Sequence, residues 1–188
     1  IVVGALYEDA GGSNAGAAYV FTRSGTTWSQ QQKLVASDAA ADDRFGSSSG
    51  IYGDTIVVGA VNENSQAGSA YVFTRSNTTW SQQQKIVGDA SGYYDWFGID
   101  VDIEEDTIVV GAYGDDSGTT QNGEGAAYIF TRSGTTWTQD KKIQASDAGQ
   151  SDTFGTDVSI QDNTIIVGSK YEDSTANNAG AAYIFTAP

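Results

Sequence analysis

The chain has no cysteine, no methionine and no histidine, and its one proline is the last residue, Pro188. Without cysteine there are no disulfides and no thiolate metal sites, and without histidine there are no imidazole ligands. The same two absences remove the usual nucleophile and general-base pairs of catalysis, leaving carboxylates, Lys, Tyr and Ser. Basic residues are scarce: 9 Lys and Arg face 24 Asp and Glu, for a formal net charge of −15. That balance argues against nucleic acid as a partner, since phosphates are neutralised by Lys and Arg, and against anionic membrane surfaces. No apolar run approaches the roughly 20 residues of a membrane-spanning helix, so direct membrane insertion is not expected. No signal peptide is visible in a chain that begins in mid-motif at "IVVGA", which reads as a mature or excised piece.

What the chain has in abundance is repetition. "GAAYVFTRSGTTWSQQQKL" from Gly16 returns as "GSAYVFTRSNTTWSQQQKI" from Gly68 and "GAAYIFTRSGTTWTQDKKI" from Gly125, and the last residues begin a fourth copy, "GAAYIFTAP". A second motif precedes each copy, opening at Ile1, Ile56, Ile108 and Ile165, and Phe-Gly recurs at Phe45, Phe97 and Phe154. A period of roughly 50 residues is the organising fact. The 188 residues read as one repeat domain, with units over 1–44 (partial), 45–96, 97–153 and 154–188 (partial).

Each complete unit reads as four short strands. The first follows Phe-Gly and alternates, as in "FGIDVDI"; the second, "TIVVGA", is a continuous apolar run that implies burial on both faces. The third is "AAYVFT" and the fourth "TWSQQQKL", whose Gln and Lys suit an outer edge protected against pairing with strangers. "GDT", "EDT" and "DNT" make tight turns between strands one and two, and "RSGTT" or "RSNTT" between three and four. No stretch carries a helical period, so the chain reads as all-β. All seven Phe residues lie in Phe-Gly or Tyr-x-Phe motifs, the pattern of periodic core positions.

Repeated four-stranded antiparallel sheets with buried second strands suit a β-propeller, in which each blade packs face to face on the next. Phe-Gly followed about a dozen residues later by Gly-Ala, repeated along essentially the whole chain, resembles the FG-GAP repeat of the integrin α-subunit propeller and of related bacterial and algal surface proteins. The resemblance implies a propeller, commonly seven-bladed, used for binding or adhesion outside the cell or at its surface. This chain holds about three and a half blades, too few to close such a ring alone. The expected arrangement is a window from a larger propeller, with completion by another copy as the alternative.

In such a meander the turn after strand two and the link into the next strand one emerge together, and most of the 24 acids fall on that face. The "TRS" turns put Arg23, Arg75 and Arg132 on the opposite face, so an electrically two-sided molecule is expected. The integrin-type calcium loop, an Asp-x-Asp-x-Asp-Gly sequence between strands one and two, has no counterpart in "IYGDT", "IEEDT" or "IQDNT". Asp43, Asp95 and Asp152 recur in the pattern Asp-x-Phe-Gly. They either accept backbone N–H bonds that fix the turn into strand one, or hold Ca2+ jointly with Asp9, Asp116 or Asp173.

The second unit departs most from its siblings. "GDASGYYDWFG" introduces Tyr93, Tyr94 and Trp96 where the other copies have small or polar residues, forming either a platform for a sugar or protein or a packing cluster against the next loop. Asn77-Thr78-Thr79 is a formal glycosylation sequon, although Gly25 and Gly134 at the matching positions mark a place for positive φ. The acids recur in register rather than forming one unique pocket, which fits a scaffold better than an enzyme, and a carboxylate-based glycosidase is the minor alternative. The expected function is a non-enzymatic platform for a protein or glycan ligand. The rival is a structural subunit of a filament or coat, partnered by further copies of itself.

Overall fold

The computed structural model describes residues 1–89, 92–116, 123–173 and 178–188. The described residues form four antiparallel sheets in chain order. The first contains β1 (Val2–Ala5), β2 (Ala17–Ser24) and β3 (Thr27–Leu34). The second contains β4 (Phe45–Tyr52), β5 (Thr55–Ala60), β6 (Ser69–Ser76) and β7 (Thr79–Ile86). The third is β8 (Val101–Glu104), β9 (Thr107–Ala112), β10 (Ala126–Ser133) and β11 (Thr136–Ile143), and the fourth is β12 (Phe154–Gln161), β13 (Thr164–Ser169) and β14 (Ala181–Thr186). Within each sheet, strands pair in sequence order as a simple meander. The arrangement is consistent with propeller blades.

The apolar run of the second strand is explained by where its alternate residues go. Ile56 and Val58 of β5 join a core cluster with Ala18, Val20 and Leu34 of the first sheet. Val57, between them, joins Phe97, Val101 and Ile103 at the start of the third repeat. The pattern repeats in β9: Ile108 and Val110 face back to the second sheet, while Val109 meets Phe154, Val158 and Ile160 of the fourth. A strand has a side-chain period of two, so a strand covered on both faces reads as a near-continuous apolar run. In β13 the alternation breaks: Ile165 and Val167 are buried against the third sheet, but Ile166 is 46% exposed.

The two glycine motifs meet between sheets. A Cβ on Gly4, Gly59 or Gly111 would lie 1.9, 2.1 or 2.1 Å from the carbonyl oxygen of Gly46, Gly98 or Gly155 in the next repeat. Main chain packs on main chain there, and no side chain fits. Each Phe of Phe-Gly then fills the space beside this contact, edge-on to its own sheet's third strand. Phe45 meets Tyr71 and Phe73, Phe97 meets Tyr128 and Phe130, and Phe154 meets Tyr183 and Phe185, at centroid distances of 5.3 to 6.0 Å.

The Gln-rich fourth strand does more than protect an edge. The pairing of β2 with β3 slips between Val20 and Phe21, leaving Gln31 as the extra residue of a bulge. A bulge re-aims side chains that would otherwise alternate. Adjacent residues Gln31 and Gln32 both reach the second sheet. Gln32 Nε2 donates to the Trp80 carbonyl and its Oε1 accepts the Trp80 N–H, each at 2.8 Å, while Gln31 Oε1 accepts the Trp80 indole N–H at 3.0 Å. Gln83 and Gln84 repeat the arrangement on Trp137, with main-chain contacts of 2.7 and 2.8 Å.

Two features differ from the sequence-based expectation. Glu63–Gln66 forms a single helical turn, with left-handed backbone at Asn64, Ser65 and Gln66, in a chain read as all-β. Asn tolerates that conformation better than most residues because its short polar side chain bonds locally. The second difference concerns charge. Arg75 Nε donates to Asp54 at 2.8 Å and Arg132 Nε to Asp106 at 2.6 Å. The strand-one turns thus neutralise two of the three arginines expected to make their face positive.

Candidate functional site

The loops following the second strands and those leading into Phe-Gly gather on one face, where main-chain bonds tie neighbouring repeats. Phe45 N–H donates to Ala15, Phe97 N–H to Ala67 and Phe154 N–H to Glu124, and each Phe forms a parallel bridge with Gly16, Gly68 or Gly125. Each Phe-Gly loop also bonds the repeat it leads into: Asn62 N–H reaches the Asp43 carbonyl, Gly114 N–H that of Asp95, and Tyr171 N–H that of Asp152. The face is a run of interlocked loops.

The Asp-x-Phe-Gly carboxylates act inside these loops. Asp43, Asp95 and Asp152 are buried, and each accepts the N–H of the residue three before it: Ala40 at 2.7 Å, Gly92, and Gly149 at 2.6 Å. Burial raises the proton affinity of all three against the opposing pull of those N–H groups. Asp95 is pushed up to about 6, with Asp115 and Asp116 adding repulsion. Of the remaining calcium candidates, Asp9 accepts Asn14 N–H at 2.9 Å, Asp116 accepts Gly123 N–H at 2.6 Å, and Asp173 is exposed. Asp95 lies near Asp116 and Asp152 near Asp173, whereas the acidic neighbours of Asp43 are Glu63 and Asp38. Among the described residues no group of three or more carboxylates is arranged to hold a metal ion. The residues present therefore fit main-chain acceptors better than a calcium cage, which needs six to eight oxygens.

Beneath this face an ion pair recurs, partly exposed in the first two repeats and buried on its acidic side in the third. Lys33 pairs with Glu8 beside Tyr19, Lys85 with Asp38 and Glu63 beside Tyr71, and Lys142 with Asp115 beside Tyr128. Asp115 is 1% exposed and also accepts the Tyr128 hydroxyl.

The three aromatics singled out from sequence lie together. Tyr93 is 69% and Tyr94 47% exposed, while Trp96 is half-buried. Trp96 stacks on Tyr113 with centroids 4.8 Å apart and planes within 15°, and Tyr94 leans on it at 5.8 Å. Trp96 thus packs on a neighbouring loop, and the two tyrosines face outward. Tyr94 and Trp96 have φ of 68° and 52°, and their counterparts Asp42 and Arg44 (68° and 57°) and Ser151 and Thr153 (68° and 58°) share that left-handed backbone, so it belongs to the repeated loop. Tyr113 was missed from sequence because it directly follows Val-Gly-Ala, where Leu6, Val61 and Lys170 stand in the other repeats. Asn77 lies exposed at a turn tip with φ 57°, in the same region as Gly25 and Gly134.

Four sequential antiparallel meanders, joined through Phe-Gly and Gly-Ala contacts and topped by interlocked loops, define a β repeat protein with one elaborated loop face. The FG-GAP repeat family matches residues 28–73, 80–130 and 137–185, and the chain belongs to that family. No curated protein matches the chain.

Proposed function

We propose that the four sheets are successive blades of a β-propeller and that the protein is a non-enzymatic binding or adhesion module, acting outside the cell or at its surface. Its face of Phe-Gly loops recognises a protein or glycan partner. The observation that carries this reading is the exposed Tyr93 and Tyr94 beside the Trp96–Tyr113 stack, held on a frame otherwise built from repeated parts. Aromatic side chains contribute heavily at interfaces, and rigid loops bind with little ordering cost. The regular use of Asp43, Asp95 and Asp152 as main-chain acceptors supports a scaffold over a carboxylate glycosidase. Screening immobilised protein against glycans and cell-surface proteins tests the reading. A bound partner should lose about tenfold or more in affinity on Tyr93→Ala/Tyr94→Ala, the scale of an interface hot spot. Unchanged affinity would move the site elsewhere.

A second reading, a structural subunit whose sheets are covered by neighbouring copies, is favoured by the bare outer face of the fourth sheet. Ile184 is 73% exposed, whereas its counterparts Val72 and Ile129 are buried. Native mass spectrometry separates the two readings: particles whose mass is a multiple of the chain favour the subunit.

A further inference from the structure

A depression of about 270 Å³ opens on the Phe-Gly face, lined by Tyr93, Tyr94, Trp96, Gly114, Asp116 and Ser151 among others. It is shaped by glycine. A Cβ on Gly114 would lie 2.0 Å from the Tyr94 carbonyl and 2.6 Å from the Trp96 ring, so only this residue admits the aromatic loop. The first and fourth repeats place Tyr7 and Tyr171 at the same position.

The chemistry of the depression is aromatic and anionic. Asp116 lines it, Asp95 and Asp115 are close by, and the basic residue beside them, Lys142, is held by Asp115. Elsewhere several tyrosine and tryptophan rings carry a cation. Seven of its nine basic side chains, Lys33, Arg44, Arg75, Lys85, Arg132, Lys142 and Lys170, lie over an aromatic ring at 4.9 to 5.8 Å. Arg44, which corresponds to Trp96 in the preceding Phe-Gly loop, lies over Tyr7 at 5.6 Å. Among the described residues no cation lies over Tyr94, Trp96 or Tyr113. Trp provides the strongest ring for a cation, and a nearby carboxylate adds to the attraction.

Resting on the binding-module reading above, we infer that the niche of Tyr94, Trp96 and Asp116 receives a cationic group, the guanidinium or ammonium of a basic side chain on a protein partner. A neutral sugar would use the ring faces but gain nothing from the charge. An anionic glycan would be repelled.

The test is titration of 15N-labelled protein with a capped Arg-containing peptide, with tetramethylammonium and with a neutral oligosaccharide. The readout is the indole N–H signal of Trp96, identified among the four Trp signals by its loss in Trp96→Phe. The peptide should shift that signal at lower concentration than tetramethylammonium does. Asp116→Asn and added salt should each weaken the shift severalfold, because charge attraction is screened by ions. Unchanged signals from the other tryptophans in each variant establish that it is folded. A salt-independent shift with the oligosaccharide alone, or no shift with either cation, overturns the inference. A screened partner that still binds Trp96→Leu overturns this inference and leaves the binding-module reading intact. A cation shift with no partner found in the screen does the reverse.

Discussion

Gly111 and Gly168 occupy the same place in successive repeats but meet different neighbours. A Cβ on Gly111 would lie 2.1 Å from the Gly155 carbonyl oxygen, whereas on Gly168 its nearest contact is 3.6 Å away, on Asp157. Gly111→Ala should cost about 1–3 kcal/mol or more, the range for overpacking, by urea denaturation. Lys142 provides a second contrast. Replacing it by Met leaves the Asp115 carboxylate buried without its cation and should cost roughly 3–5 kcal/mol, with part recovered in Lys142→Met/Asp115→Asn. Asp95 sets a pH dependence. Its carboxyl is raised from 3.8 to about 6, so between those values the folded state binds the proton more tightly than the unfolded chain does. Its contribution is fully present below the unfolded value and is lost as pH rises through about 6. Asp43 and Asp152 act in the same direction, while Glu8 and Asp38, whose carboxyls are lowered, act in the opposite one. Melting temperatures at about pH 4.5 and about pH 7 should show Asp95→Asn reducing any advantage of the lower pH. An unchanged difference would remove Asp95 from the account.

At the scale of the element, the fourth strand carries the least expected behaviour. Its Gln residues were legible as polar edge residues, but no periodicity rule announces that a bulge will turn two adjacent side chains the same way. Gln84 satisfies the main-chain N–H and C=O of Trp137. Gln84→Ala should therefore cost about 1–3 kcal/mol, the penalty for stranding buried polar groups, measured by chemical denaturation. The strand-one entry loops were better legible, because Asp-x-Phe-Gly recurs and each Asp accepts a main-chain N–H three residues back. Since those carboxylates are engaged within their own loops, EDTA should leave the melting temperature unchanged. A fall on chelation, reversed by calcium, would assign them to an ion.

At the scale of the molecule, the four meanders and their strand order were readable because the repeat places every apolar run, turn and Phe-Gly in the same register. The distribution of charge was not. Arg75 and Arg132 were visible, but their neutralisation by Asp54 and Asp106 depends on two turns meeting across a sheet. The aromatic site was half visible for the same kind of reason: Tyr93, Tyr94 and Trp96 stand out in their loop, while Tyr113 and Gly114 matter only once that loop lies against them.

The second strand divides its side chains between the sheet before it and the sheet after it, and each junction is assembled from the same few parts. A junction formed between any two repeats therefore presents the same strand and Phe-Gly contacts to any other repeat at the same place. Such a gene can lengthen or shorten by whole units through unequal recombination without inventing a new interface. Individual loops then diverge in step with the neighbour they lie against, as the aromatic loop does with Gly114.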